Sequence, residues 1–176
     1  GVEQMVRDAR IAMLYEGANG VVSLDLLGRK VVANGGALVK VFFQDVDECL
    51  AALSKNKDDA WLLLASKSLS EAREVLCDVT EWCVRQPNLA FNDADEIGAA
   101  AVDYMHLFGH VAFAYMWAKM LLALKESTLK SNDKYVLRKR HAGRFYFKRI
   151  MPCIHSLAES IKSGSQSVVE LPAELF

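Results

Sequence analysis

A single carboxylate near the start of the chain is the residue best placed for chemistry. The string "RDARIAMLYEGANG" covers residues 7–20, and in it Glu16 stands where one helical run ends and another begins. Considered alone, this pattern favours an ordinary helix end, with Gly17 in the left-handed region and Glu16 in solvent. A carboxylate at such a break can also serve as a general base. Both interpretations stay open at this stage.

Two histidines have the spacing of a metal-binding pair. His106 and His110 are four residues apart and therefore share one face of a helix. Asp103 is the one nearby candidate for a third ligand, and it could equally cap a helix or lie in solvent. Most such pairs in helical bundles are packed or hydrogen-bonded histidines, so we expect no metal site.

A dense basic run follows later in the chain. On an ideal helix, Lys134, Arg138 and Arg149 fall near one face and Arg140 and Arg144 near another, so the charge is spread rather than striped. The aromatic residues interleaved with this run could support contacts with nucleic acid. A solvated helix face is favoured, because the overall net charge is only −1. The complete run comprises Lys134, Arg138, Lys139, Arg140, Arg144, Lys148 and Arg149, with Phe145, Tyr146 and Phe147 among them.

Composition excludes several classes of protein. The 176 residues are 52% hydrophobic and 24% charged, which is typical of one folded domain rather than a disordered chain. No run of about 18 uncharged apolar residues occurs, so we expect no membrane span. Four cysteines without CxxC spacing indicate reduced thiols, which predicts a cytoplasmic location. They are Cys49, Cys77, Cys83 and Cys153.

Apolar periodicity predicts helices throughout the chain. Glycine, proline and polar residues divide it into six helical runs, and no segment shows convincing strand alternation. The fold class is therefore all-α, an antiparallel bundle of about six helices. The predicted helices cover about 3–14, 20–32, 37–54, 59–86, 93–126 and 134–163.

Individual residues are expected to mark the ends and bends of these helices. Asn19 is the predicted N-cap of the second helix. Pro152 should kink the sixth helix or mark a junction in it. The tail from 165 to 176 is expected to be irregular and to lie on the bundle. A stripe of Val21, Leu24, Leu27 and Val31 should bury the second helix, and the sequence Asp93-Ala94-Asp95-Glu96 resembles a capping box for the fifth.

A longer string around Glu16 resembles a known catalytic segment. "RDARIAMLYEGANGVVSLDLLGRKVV" is similar to the catalytic-glutamate segment of the flavin-dependent acyl-CoA dehydrogenases. In that family an Arg-Asp pair opens the helix, Tyr-Glu-Gly-Thr ends it, and Leu-Gly-Arg-Lys follows in the longer-chain members. Here these elements are residues 7–8, 15–17 and 27–30. "HAGRFYFKRIMP", residues 141–152, resembles more loosely the extra helical region of the larger branch, which includes the methylthiopropanoyl-CoA dehydrogenases.

The resemblance implies a mechanism. Glu16 would remove the α-proton of an acyl-CoA thioester while a hydride leaves the β-carbon for FAD, which gives a trans-2-enoyl-CoA. An apolar, water-excluded site would raise the pKa of this carboxyl and make it a better base. Tyr15 would supply part of the apolar wall, and Gly17 would let the acyl chain approach closely. The backbone N–H of Glu16 could polarise the thioester carbonyl.

The cofactor contact departs from the family pattern. The stretch that contacts the adenosine part of FAD in the family corresponds here to Ala18, Asn19 and Gly20. Asn19 and Gly20 match the larger members, but Ala18 replaces the family's Thr and Val22 replaces its Gln. The resemblance therefore implies a retained base and a weakened cofactor contact.

The resembled enzymes are longer than this chain. They carry an N-terminal helical domain and a middle β-domain, so we expect a C-terminal fragment that is inactive alone. Residues 1–36 would form the catalytic-glutamate segment and residues 37–176 the helical extension. The family implies homodimers or homotetramers, with an electron-transferring flavoprotein as acceptor. A hypothesis from another class is a non-catalytic helical interaction or oligomerisation module, with nucleic-acid binding through the basic helix as one form of it.

Overall fold

Every element in the described part of the chain is helical. The computed structural model describes residues 1–15, 18–85 and 94–175, and no strand occurs among them, as the all-α prediction requires. The α-helices are α1 (Val2–Tyr15), α2 (Asn19–Leu24), α3 (Ala37–Ser54), α4 (Ala60–Arg85), α5 (Ala94–Glu126), α6 (Lys134–Phe145), α7 (Ile154–Lys162) and α8 (Gln166–Val169). Two π-helical segments, Asp25–Val31 and Tyr146–Ile150, continue α2 and α6.

Side-chain contacts show that α4 and α5 run antiparallel. Asp59, at the start of α4, lies 3.9 Å from the Nζ of Lys125 near the end of α5. At the opposite end, the hydroxyls of Thr80 and Tyr104 are 2.7 Å apart. Long helices with short connections bury their apolar stripes in this way, which is the antiparallel bundle that the periodicity predicts.

The buried hydroxyls of Thr80 and Tyr104 form a polar pair within the apolar core. Tyr104 is fully buried, and burial holds the pKa of its hydroxyl well above the usual value. Thr80 lies 2.6 Å from the carbonyl oxygen of Leu76 and donates its single proton there. The Tyr104 hydroxyl must therefore donate to the Thr80 oxygen, so both hydroxyls are satisfied. The apolar core of the bundle includes Leu69, Leu76, Leu107, Val111, Ile154 and Ile161, each at most 1% exposed.

The second helix differs from its prediction in two respects. Ala18, not Asn19, occupies the N-cap position, and no side chain caps this helix. The predicted stripe is divided: Leu27 and Val31 are completely buried, but Val21 is 60% and Leu24 is 43% exposed. The reason is the change to π-helix at residue 25, because i→i+5 bonding widens the turn and rotates the following residues onto a new face.

Helix α6 ends in the junction that Pro152 predicts. The π-helical segment is followed by a 3₁₀ turn, Met151–Cys153, before α7 begins. Tyr146 fixes this junction to α5, because its hydroxyl donates a 2.8 Å hydrogen bond to the carbonyl oxygen of His110. Asp133 caps the other end of α6 by accepting a bond from the Tyr135 N–H.

Replacing Tyr146 with Phe should cost about 1 kcal/mol, because one buried hydrogen bond is lost. Burial, with a smaller effect of Cys153, raises the pKa of Tyr146 to about 12. The neutral hydroxyl is therefore favoured in the folded state. The stability that the neutral Tyr146 hydroxyl adds to the folded state is fully present below the unfolded pKa of about 10. It is lost as the pH rises from there towards about 12. Urea unfolding between pH 7 and 12 should show a shallower alkaline decline for Tyr146→Phe than for the native chain, and equal declines would contradict this prediction.

The tail is more ordered than expected. Helix α8 and the 3₁₀ turn Ala173–Leu175 lie in the segment that was predicted to be irregular. Glu96, in the first turn of α5, accepts bonds from the Ser165 hydroxyl (2.6 Å) and N–H (3.3 Å). Gly164 has φ +74°, which lets the chain turn there after α7. Asp93, the first residue of the predicted capping box, lies outside the described residues.

Helix α5 is long and apolar enough to cross a membrane by length and composition alone, and it is the one described helix that meets this criterion. A third of its most apolar window is buried in the protein. Its inner face carries Tyr104, Leu107 and Val111 in the core between α4 and α7. Core helices commonly pass the same test, so α5 is a weak candidate for a membrane span.

Candidate functional site

The predicted base lies at a point that the structure does not describe. Glu16 and Gly17 are outside the described residues, so their roles stay predictions. Tyr15 is the last residue of α1, and its side chain is also outside the described part. What the structure does describe is the pair of elements on either side of Glu16, namely α1 before it and α2 after it.

Helix α1 presents an uncovered amphipathic surface. Each side chain from residue 2 to residue 10 is exposed, including Val2 at 75%, Met5 at 72% and Val6 at 61%. These three apolar residues share one face at i, i+3 and i+4 spacing. An apolar helix face of this kind is typical of a surface that packs against another protein part.

Residues 18–20, at the start of α2, are exposed as well. Ala18, Asn19 and Gly20 are all solvent-accessible, and a Cβ atom added at Gly20 would meet no atom within 4 Å. The hydroxyl of buried Ser23 donates a 2.8 Å bond to the Gly20 carbonyl oxygen, which holds the first turn of α2. Val22, where the family has a polar residue, is 57% exposed. This turn is therefore accessible to a bound group, but Asn19 supplies its one polar side chain among residues 18–22.

The π-helical segment anchors this turn to the bundle. It contains the Leu-Gly-Arg-Lys string, and Leu27 is buried in the core. A Cβ atom added at Gly28 would make an ordinary van der Waals contact of 3.6 Å with the side chain of Ile97, so this segment packs against α5. Asp25 and Arg29 form an exposed ion pair at 2.6 Å. Helix α2 and the π-helical segment after it thus both pack on α5.

The histidine pair has no metal-binding partners in the described part of the chain. No group of three or more His, Cys, Asp or Glu side chains among those residues could hold a metal ion. Asp103 lies 2.5 Å from the Ser160 hydroxyl and joins α5 to α7. Burial, and to a lesser extent the neighbouring His106, lower the pKa of His110. His106 is exposed, so the two rings differ in environment.

The four cysteines are free thiols. Cys49 and Cys83 are buried, and desolvation raises the pKa of Cys83 to about 12. Cys77 is half-buried and borders a cleft of about 260 Å³ between α4 and the turn at Gly35 and Gly36. Burial also raises the pKa of Cys77, which disfavours the reactive thiolate.

Known proteins match this chain over most of its length. The family described as "Acetyl-CoA dehydrogenase C-terminal like" matches residues 42–172, about three quarters of the chain. A 3-methylmercaptopropionyl-CoA dehydrogenase of Ruegeria pomeroyi is 30% identical over 142 residues, which cover 81% of this chain and 23% of that protein. A butyryl-CoA dehydrogenase of Syntrophomonas wolfei is 25% identical over 98% of this chain and 28% of its own length.

A third relative is also an acyl-CoA dehydrogenase. A broad-specificity linear acyl-CoA dehydrogenase of Mycobacterium tuberculosis is 22% identical over 99% of this chain and 29% of its own length. The chain therefore spans about a quarter of the length of the curated relatives that it matches. The resemblance seen around Glu16 and in the 141–152 string is confirmed at the level of the family. This helical chain belongs to the acetyl-CoA dehydrogenase C-terminal-like family of the acyl-CoA dehydrogenases.

Proposed function

We propose that this chain supplies the general base for an FAD-dependent acyl-CoA dehydrogenase. The observation that carries the proposal is the Tyr15-Glu16-Gly17 string at the end of α1, in a chain whose relatives are acyl-CoA dehydrogenases. The names of those relatives give 3-methylmercaptopropionyl-CoA, butyryl-CoA and linear acyl-CoA as their substrates. The substrate class proposed for this chain is accordingly an acyl-CoA thioester.

In this proposal Glu16 removes the α-proton, and a trans-2-enoyl-CoA is the product. The α-proton of a thioester is weakly acidic, so a base must be close to it and must have a raised pKa. The backbone N–H of Glu16 would bind the thioester carbonyl oxygen, which stabilises the enolate-like charge of the transition state. Tyr15 would exclude water from the carboxyl, and Gly17 would leave room for the acyl chain.

Among the described residues, Asn19 and Gly20 could make a small part of the contact with FAD. FAD, when bound, accepts the hydride that leaves the β-carbon. Asn19 could donate or accept a hydrogen bond from its exposed position, and the backbone at Gly20 is open to close approach. Ala18 and Val22 offer no side-chain hydrogen bond. The larger part of the cofactor site would then belong to parts of the protein outside residues 1–176, with residues 1–36 contributing the base and 37–176 the helical extension.

Exposed apolar residues on two helices support the proposal that the protein forms oligomers. Phe113 (62% exposed) and Met116 (55%) lie on the outer face of α5, separate from the apolar face of α1. Two such faces are consistent with a homodimer or homotetramer packed through helices. The electron-transferring flavoprotein would be the redox partner, and the proposed location is cytoplasmic.

The full-length protein that contains this chain tests the proposal. Purified with FAD and mixed anaerobically with butyryl-CoA, it should lose the visible flavin band as enoyl-CoA forms. The 176-residue chain purified alone should show no stoichiometric flavin band. A flavin that stays oxidised with acyl-CoA thioesters of several chain lengths would contradict the dehydrogenase assignment. A stoichiometric flavin band in the isolated chain would contradict its dependence on other domains.

A further inference from the structure

The segment that contains α6 and the π-helical turn after it carries cations without carboxylates. Residues 134–158 include seven Lys and Arg residues and no Asp or Glu, although the net charge of the chain is −1. A run of one sign on a folded protein creates a local positive potential that attracts anions. The arrangement of these side chains decides whether that potential is diffuse or directed to one place.

The structure separates one cation from the others. Arg140 is largely buried and lies 3.3 Å from the carboxylate of Asp59. The sequence placed Arg140 on one helix face with Arg144, and in the structure Arg140 is turned inward while Arg144 is exposed. Arg144, Lys148 and Arg149 remain exposed, and no carboxylate among the described residues lies within ion-pair distance of them.

The three exposed cations line one open cleft of about 520 Å³. Its lining residues come from the last turn of α6 and from the π-helical segment that follows, and bordering one cleft places them on one side of these two elements. The size falls within the range of small-ligand sites. The cleft is lined by His141, Arg144, Phe145, Lys148 and Arg149.

An aromatic ring lies among these cations. Phe145 is 59% exposed, whereas its neighbours Tyr146 and Phe147 are buried in the core. Both of those rings contact other aromatic rings, but within the described residues Phe145 has no such contact. A planar, uncharged group could therefore stack on the free face of Phe145 while its anionic part contacts the cations.

The basic cleft does not extend along the whole of α6. Lys148 also borders a neighbouring cleft that contains Glu71, but the Glu71 carboxylate lies 3.1 Å from His155 Nε2. Towards the start of α6, Lys134 and Arg138 do not line the cleft, and exposed Leu137 lies between them. The site is consequently a local one rather than a continuous basic stripe.

We propose that this cleft binds a nucleotide that carries at least two phosphates. The guanidinium groups of Arg144 and Arg149 can each bind phosphate oxygens in pairs, and Lys148 adds a point charge. Phe145 stacks on the base. ADP is the simplest such ligand, and coenzyme A has the same chemistry in its 3′-phospho-ADP part. This inference does not rest on the role proposed for Glu16.

Titration calorimetry of the 176-residue chain with ADP at low ionic strength tests the proposal. We expect a 1:1 complex with a Kd below about 1 mM. The double substitution Arg144→Ala and Lys148→Ala should raise the Kd at least about tenfold. The matched control, Lys134→Ala with Arg138→Ala, removes the same charge from the same helix outside the cleft and should leave the Kd within about twofold. Phe145→Ala should weaken ADP but leave inorganic pyrophosphate unchanged.

Several results would overturn the site. One is the absence of a binding heat with ADP or coenzyme A at about 1 mM. Another is an equal loss of ADP affinity from the two double substitutions. Equal losses would indicate a diffuse basic surface, and so would tighter binding of a single-stranded oligonucleotide or of anionic phospholipid vesicles. Coenzyme A binding more tightly than ADP would identify the 3′-phosphate as a further contact of the same site. All substituted side chains are exposed, so unchanged circular dichroism and melting temperature should confirm that the variants fold.

Discussion

Replacing Glu16 with Gln in the full-length enzyme should reduce the rate of flavin reduction by acyl-CoA by about 10²–10⁴-fold. Gln has nearly the same shape as Glu but cannot accept the α-proton, so the chemical step loses its base. Binding of the thioester should change little, because the backbone N–H that would bind its carbonyl oxygen is retained. Anaerobic stopped-flow measurement of the flavin band separates the two effects, since the rate at saturating acyl-CoA reports chemistry alone.

A matched control distinguishes a base from a residue at a helix end. Glu3 is an exposed carboxylate on the same helix, α1, and Glu3→Gln should leave the rate within about twofold. Glu16→Asp should be intermediate, because the base is kept but withdrawn by one methylene. If Glu16 were only a solvated residue before the turn at Gly17, Glu16→Gln would behave as Glu3→Gln does. That outcome would remove the base assignment and leave the family assignment intact.

Helix bounds could be predicted from the sequence wherever local signals agree. The predicted third helix, 37–54, is the observed α3, because the two glycines at 35 and 36 end one helix and begin the next with φ of +62° and +76°. Pro152 marked the junction before α7 because it cannot donate the backbone bond that a continuous helix needs there. Both signals depend on single residues and not on the tertiary contacts.

The two π-helical segments were not predicted from the sequence, which indicated continuous helices at both places. Residues 25–31 have an ordinary helical composition, and the widened turn places Leu27 and Val31 in the core beside α5. An α-helical stripe would have buried Val21 and Leu24 in addition, which are exposed. Those two residues lie five and eight positions after Glu16, and their exposure is consistent with further protein packed on this side of the chain.

The inward position of Arg140 is the other feature that periodicity missed. The sequence shows an even run of cations, but burial of one of them depends on Asp59, which is 81 residues distant. Only the fold brings the two together. Arg144, Lys148 and Arg149 remain exposed and line one cleft, and the resemblance to a dehydrogenase gives no role to that cleft.

Asp59→Ala should lower the free energy of unfolding by about 2–4 kcal/mol, because two separate contributions are lost. One carboxylate oxygen of Asp59 accepts hydrogen bonds from the N–H groups of Trp61 (3.0 Å) and Leu62 (3.3 Å), and so caps α4. The other oxygen pairs with Arg140, whose side chain is only 16% exposed, and lies 3.9 Å from Lys125. Removing the carboxylate uncaps α4 and leaves a partly buried guanidinium without a counter-charge.

Two further variants divide this loss between its causes. Asp59→Asn keeps the oxygen that caps α4 but turns an NH₂ group towards Arg140, so it should lose the ion pair alone and cost less than Asp59→Ala. Asp58→Ala, at an exposed neighbour, should change stability by less than about 0.5 kcal/mol. Urea denaturation of the four proteins, with a common m-value, measures the series. Equal free energies of unfolding for Asp59→Ala and Asp58→Ala would contradict the prediction. Asp59 would then not be the residue that joins α4, α5 and α6, and the inward position of Arg140 would need another cause.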